Sequence, residues 1–278
     1  MRYWTGLRYL AGLGYTAGLG FLAGLVGVVA CLCVVPTAAA EPSVPVPAPV
    51  QVPSRTAISV RSVVPGLAWG TANETESVSA LSLAKLYLID YALRHGDASA
   101  GDKDLGERMI RYSDNAAADA VDAKYPHAID EIAAEYGLTA THGAAEWGNS
   151  STSTADVSEF LVAKLRSDPD SPILAWMREP GEVAADGTRQ DWGTARLPRV
   201  QGTKWGWSDS GVPEVSSASF GPGFAVTAHT YGTPEQQTED VLGAVNTMLD
   251  DMLPAPGREL LHVIPGLRLD SFSFTIVV

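Results

Sequence analysis

The stretch 78-VSALSLAKLYLIDYALRHG-96 carries apolar side chains on nearly every side at helical spacing. A helix with no polar stripe has no face to give to water, so it must run through the middle of a packed structure. Gly96 is a good residue just past its end. Set into its first turn is Ser82, with Lys85 three residues on. That spacing puts the two side chains on one face. A lysine among apolar neighbours has little water to reach, and desolvation lowers its pKa until it can exist as a free amine and accept a proton. A hydroxyl at a helix start, beside N–H groups that favour developing negative charge and next to such an amine, is the layout an activated serine nucleophile requires. Taken alone, the pair also fits a helix-start serine with a lysine snorkelling to the surface.

The chain around this helix reads as an exported one. Tyr9 to Ala40 has no charged side chain, Arg2 and Arg8 precede it, and it ends in Ala38-Ala39-Ala40. A positive start, an apolar core and small residues at a cleavage point are the marks of a signal peptide. Cleavage after Ala40 is the expectation. The run is also long enough to span a bilayer uncleaved, and Val28-Val29-Ala30-Cys31 resembles a bacterial lipoprotein box, though the apolar run continues past Cys31. Each reading places the rest of the chain outside the cytoplasm, with the membrane involved only through this segment. Both cysteines, Cys31 and Cys33, lie in it, so disulfide and thiol chemistry are not expected beyond residue 40. Taking away Arg2 and Arg8, the only charges of residues 1–40, leaves 17 basic against 32 acidic residues, a net charge of −15. So acidic a domain is a poor partner for nucleic acid or anionic lipid.

Residues 41–54, with five prolines in fourteen positions, read as an extended spacer or a disordered stub. Residues 55–253 are enough for one sizeable core. The tail 254–278 has apolar patches but no assigned role. Within the domain, two short strands around Val60 and Trp69 come first. Helices follow over about 78–96, 104–112, 115–124, 127–136 and 155–166, the last capped by Thr154, with a short one over 172–178. Residues 198–207, 212–220 and 223–231 predict a three-strand antiparallel meander, and 235–253 a final amphipathic helix. Strands, helices, then strands and a helix predict an α+β fold whose antiparallel sheet is built from both ends of the chain, with a helical lobe inserted.

Two further motifs follow the Ser82–Lys85 pair: Ser113-Asp114-Asn115 at the head of a helix, and Lys204-Trp205-Gly206 on the first strand of the meander. In this order and on these elements the three resemble the serine β-lactamase and penicillin-binding protein superfamily, which uses S-x-x-K, S-D-N and K-T-G. 112-YSDNAAADAV-121 and 151-STSTAD-156 resemble the corresponding stretches of the class A enzymes. The resemblance covers about residues 55–253. It implies Ser82 as the acylated nucleophile and Lys85 as its base. Ser113 would pass a proton to the leaving nitrogen, and Asn115 would hold the substrate amide and Lys85. Lys204 would orient Ser113 and attract a substrate carboxylate. Trp205, Gly206 and Trp207 would border the substrate, with the N–H groups of Ser82 and Trp207 as the oxyanion hole.

The pattern departs from the family in places that matter. Trp205 replaces a hydroxyl residue that binds the substrate carboxylate, and 212-VPEVSSASF-220 brings no arginine or lysine to help. The loop that carries the deacylating glutamate in class A enzymes is drastically short; only Glu146 is available, at the wrong spacing, and a surface acid is its plainer reading. The interval between S-x-x-K and S-D-N is short too. The five histidines show no metal-binding spacing, so no metal or other cofactor is expected. The expectation is therefore a serine hydrolase or acyltransferase acting on a peptide-like or β-lactam-like small molecule, with a cell-wall peptide as one candidate. The alternatives are a binding or scaffold protein that keeps the fold without turnover, and a plain β-lactamase.

Overall fold

The computed structural model describes residues 51–97 and 99–252, the last helix beyond residue 244 as backbone only. The apolar segment 1–40, residues 41–50 of the proline-rich spacer and the tail 254–278 lie outside the described residues. In chain order the elements are β1 (Thr56–Ser62), β2 (Ala68–Gly70), β3 (Val78–Ser79), α1 (Ala84–Arg94), α2 (Ala100–Arg111), α3 (Asn115–Lys124), α4 (Ala128–Tyr136), β4 (Ser151–Thr152), α5 (Thr154–Ser167), α6 (Pro172–Arg178), β5 (Gly202–Trp207), β6 (Val215–Gly221), β7 (Phe224–Thr230) and α7 (Pro234–Met252). The main sheet is antiparallel in the order β2-β1-β7-β6-β5, so the first long strand lies beside the last. Helices α1 to α6 all fall between β3 and β5, which is the inserted lobe expected of the α+β pattern.

The sheet is buried on both faces because its strands alternate two apolar or neutral sets. Ile58, Val60, Val226 and Ala228 pack with Val241 and Ala244 of α7. The opposite face packs on α5, where Ser158 Oγ donates to Ser59 O at 3.1 Å and lies 2.9 Å from Thr227 Oγ1. Helix α1 is the hub of the lobe: Leu86, Tyr87, Leu88 and Ile89 are all without solvent exposure, as an all-round apolar helix demands. Its one buried acid, Asp90, is held by Lys164 Nζ at 2.8 Å and Arg94 Nε at 2.9 Å, which ties α1 to α5. Asp102 does the same between α2 and the end of α3, accepting from Lys124 Nζ at 2.8 Å and Tyr125 OH at 2.7 Å.

Local chemistry sets the helix boundaries. Asp114 caps α3 by accepting from Ala117 N, and Gly137 ends α4 at φ +69°. Two boundaries differ from the sequence reading. Ser153, not Thr154, caps α5, its Oγ accepting from Asp156 N at 3.0 Å. The segment 78–96 is not one helix. Val78–Ser79 pairs with Ser151–Thr152, and a 3-10 turn over Leu81–Leu83 leads into α1. Ser82 therefore stands in a tight turn between a strand and a helix, with Leu81 just before it at φ +50°. A residue other than glycine in that region costs about 1–2 kcal/mol, which the packing around it must offset.

Candidate active site

Three chain segments deliver polar side chains to one point. The 3-10 turn and first turn of α1 bring Ser82 and Lys85. The loop before α3 brings Ser113, the first residue of α3 is Asn115, and β5 brings Lys204. Lys85 Nζ lies 2.9 Å from Ser82 Oγ and donates to Ser113 O at 2.6 Å and Asn115 Oδ1 at 2.7 Å. Lys204 Nζ donates to Ser113 Oγ at 2.8 Å and Trp205 O at 2.7 Å. Ser113 Oγ is also 3.4 Å from Lys85 Nζ, so one hydroxyl stands between two amines. Ser113 adopts φ +53°, the second left-handed non-glycine residue here, and this turns its carbonyl toward Lys85.

The two amines share a cause of perturbation. Burial lowers Lys85 to about 7, against Asp114, Asp209 and Asp186, whose charges pull it upward. Burial pushes Lys204 well below the usual lysine range, and the charge of Lys85 lowers it further. The Trp147 ring, whose Nε1 donates to Asp119 Oδ1 at 2.7 Å, covers Lys85 Nζ at 4.7 Å from its centroid and helps exclude water. Above these groups opens a cleft of about 400 Å³ bordered by Ser82, Asn115, Trp147, Asn149 and Trp207. Strand β5 comes close because residue 206 is glycine. A Cβ there would stand 2.8 Å from Ser82 N and 2.8 Å from Ser216 Oγ.

Solved structures of the same architecture exist. Penicillin-binding protein D2 from Listeria monocytogenes, crystallised with cefotaxime, superposes with a TM-score of 0.52 at 17% identity, over 69% of this chain and 96% of that one. The D-alanyl-D-alanine carboxypeptidase of Mycobacterium tuberculosis H37Rv gives 0.53 at 16% identity, over 75% and 96%. The carbapenemase VCC-1 from Vibrio cholerae N14-02106 gives 0.51 at 17%, over 70% and 94%. The chain has the serine β-lactamase and penicillin-binding protein fold. No protein-family model matches the sequence, and no curated protein is similar to it. At such identities it is the fold that is shared.

Within that fold, this chain corrects two expectations, for Trp205 and Lys204. The Trp205 indole does not border the cleft. Side chains alternate along β5, so while Lys204 faces Ser113 the indole points to the other side, where it packs with Trp192 and Val215 and donates from Nε1 to Trp192 O at 2.9 Å. Glu146 stands as a surface acid, exposed and outside the cleft border, where its Oε2 accepts from Asn149 Nδ2 at 3.3 Å. Lys204 is fully buried beneath Ser113 and offers no surface to a substrate carboxylate. Gly206 and Trp207 do stand beside Ser82 and the cleft.

Sequence reasoning missed Trp147 as the cover of Lys85 and three acids at the cleft: Asp186, Asp209 and Glu214. Asp186 accepts from Trp207 Nε1 at 3.0 Å, and Glu214 joins His229 Nε2 at 2.7 Å and Ser79 Oγ at 3.1 Å. All three come from loops or strand ends with no local pattern to single them out. Among the described residues no group of three His, Cys, Asp or Glu side chains is placed to hold a metal ion.

Proposed function

We propose that this protein is an extracytoplasmic serine hydrolase or acyltransferase that forms an acyl-enzyme at Ser82 from a peptide-like or β-lactam-like amide or ester, a cell-wall peptide being one such substrate. One observation carries the reading. A neutral lysine amine has two hydrogens and one lone pair. The carbonyl oxygens of Ser113 and Asn115, at 2.6 and 2.7 Å, can only accept, so they take both hydrogens. The lone pair is left facing Ser82 Oγ at 2.9 Å. A value of about 7 for Lys85 makes that neutral form abundant near neutral pH.

The steps follow from this arrangement. Ser82 Oγ attacks the substrate carbonyl carbon while its proton passes to Lys85 Nζ. The tetrahedral oxyanion is received by the Ser82 and Trp207 N–H groups, which Gly206 allows to lie close together. Ser113 Oγ gives its proton to the leaving nitrogen and is reprotonated from Lys204 or Lys85, both within reach of it. Water or an amine then releases the acyl group. Residues 1–40 would carry the chain to or across a membrane, and their sequence supports that placement.

Mass spectrometry of the protein after treatment with a fluorophosphonate and with a labelled penicillin tests the reading. A covalent adduct on Ser82, lost in Ser82→Ala, is expected from the fluorophosphonate. Absence of an adduct from either reagent would favour a binding protein that keeps the fold without turnover. That alternative is favoured by the position of Glu146 outside the cleft.

A further inference from the structure

The cleft contains the proposed nucleophile but no cationic side chain to receive a carboxylate. No lysine or arginine borders it among the described residues. The nearby amines of Lys85 and Lys204 are buried, and each is already bonded to protein oxygens. The borders carry the opposite charge. Asp186 is held by Trp207 Nε1 at 3.0 Å and by Thr188 N at 2.9 Å. Asp209 stands exposed in the turn between β5 and β6. Glu214 is anchored through both oxygens, by His229 and Ser79. These contacts keep two of the acids ionised. Burial alone would raise Asp186 and Glu214, yet Thr188 and Trp207 hold the first below the usual carboxylate range, and His229 holds the second there.

We propose that Asp186, Asp209 and Glu214 make the Ser82 cleft selective for acyl donors that carry a cationic group and no carboxylate next to the reacting carbonyl. The proposal rests on the assignment of Ser82 as the nucleophile. A cleft lined by one sign of charge concentrates the opposite sign, raising association rates by about 10–10³. The same acids repel an anionic donor that no cation in the cleft compensates.

The test uses three fluorophosphonates of equal chain length, ending in trimethylammonium, methyl or carboxylate. In each, Ser82 Oγ displaces fluoride from phosphorus and its proton passes to Lys85, so charge at the far end is the only variable. The second-order rate of Ser82 labelling is expected to fall in that order. The cation-to-anion ratio should be about tenfold or more at low ionic strength and should shrink in high salt, as screening requires. Asp209→Asn and Asp186→Asn should each lower the ratio, whereas Asp170→Asn, an equal charge change at an exposed site outside the cleft border, should not. A ratio below about threefold, a reversed order, or equal effects of Asp209→Asn and Asp170→Asn would overturn the proposal while leaving Ser82 as the nucleophile. No labelling by any of the three would remove both.

Discussion

Lys204 Nζ and Ser113 Oγ meet at 2.8 Å across 91 residues of chain, joining the sheet to the helical lobe beside Ser82 and Lys85. No local contact would bring them together. If Ser113 supplies a proton as proposed, Ser113→Ala should separate that role from packing. Cleavage of an unactivated amide should slow by about 10²–10⁴, the usual worth of a positioned acid or base. A nitrophenyl ester, whose leaving group needs no proton, should lose far less. Equal losses on both substrates would show that Ser113 acts only by packing.

Titration of Lys85 should appear in the kinetics. Labelling of Ser82 by the neutral fluorophosphonate is expected to rise through about pH 7 as the amine loses its proton. Lys85→Met should abolish the labelling. A profile flat from pH 5.5 to 9 would mean that some other group activates Ser82.

The same lysine makes a prediction about stability, with a definite sign. Its folded pKa, about 7, is lower than its ordinary 10.5, so between these values the unfolded chain binds more protons. Stability then rises with pH across that window, and the burden of the buried ammonium is fully present below it. Wild type should therefore gain melting temperature relative to Lys85→Met between pH 6.5 and 9.5. Because the charge of Lys85 also lowers Lys204, the difference reports the two coupled amines together, and both contributions have the same sign. A difference that does not move with pH, or moves the other way, contradicts the burial-driven shift.

Gly206→Ala should damage acylation more than the fold. The new Cβ has backbone on one side, Ser82 N at 2.8 Å, and so cannot be relieved by a side-chain rotation alone. Overpacking of this kind costs about 1–3 kcal/mol. We expect a folded protein whose β5 is displaced from Ser82 and whose labelling rate drops at least tenfold. Unaltered labelling would place the oxyanion site elsewhere.

Release of a penicillin-derived acyl group should be slow, because Glu146 is outside the cleft border. Glu146→Gln should leave hydrolysis of a chromogenic cephalosporin within about twofold of wild type, where loss of a true general base costs about 10²–10⁴. Rapid steady turnover that this substitution abolishes would make Glu146 the deacylating base after all.

What the sequence could disclose was whatever rests on short-range patterns. The boundary residues Asp114, Gly137 and Pro172 mark helix ends that the structure reproduces, and the order of elements predicts the sheet. Ser82, Lys85, Ser113, Asn115 and Lys204 could be named because each sits in a motif. Other features depend on residues far apart. Val78–Ser79 reads as helix by composition, but its backbone pairs with Ser151–Thr152, which no local pattern announces. The direction of the Trp205 indole is set by the register of β5 against β6 and by the Trp192 carbonyl. Asp186, Asp209 and Glu214 look like ordinary surface acids until the fold gathers them at one cleft.

The position of β1 beside β7 has a bearing on how the protein comes into being. Thr56 and Thr230 are neighbours in the sheet though 174 residues separate them, and Lys204 reaches the cluster only when β5 has docked. Closing so long a loop precedes the contacts that reward it, which makes assembly slow and late. Until that docking is complete, Ser82 has no partner strand and Lys85 remains a hydrated, charged side chain like any other. The reactivity proposed for Ser82 would thus be withheld from the nascent chain by topology until the sheet has closed.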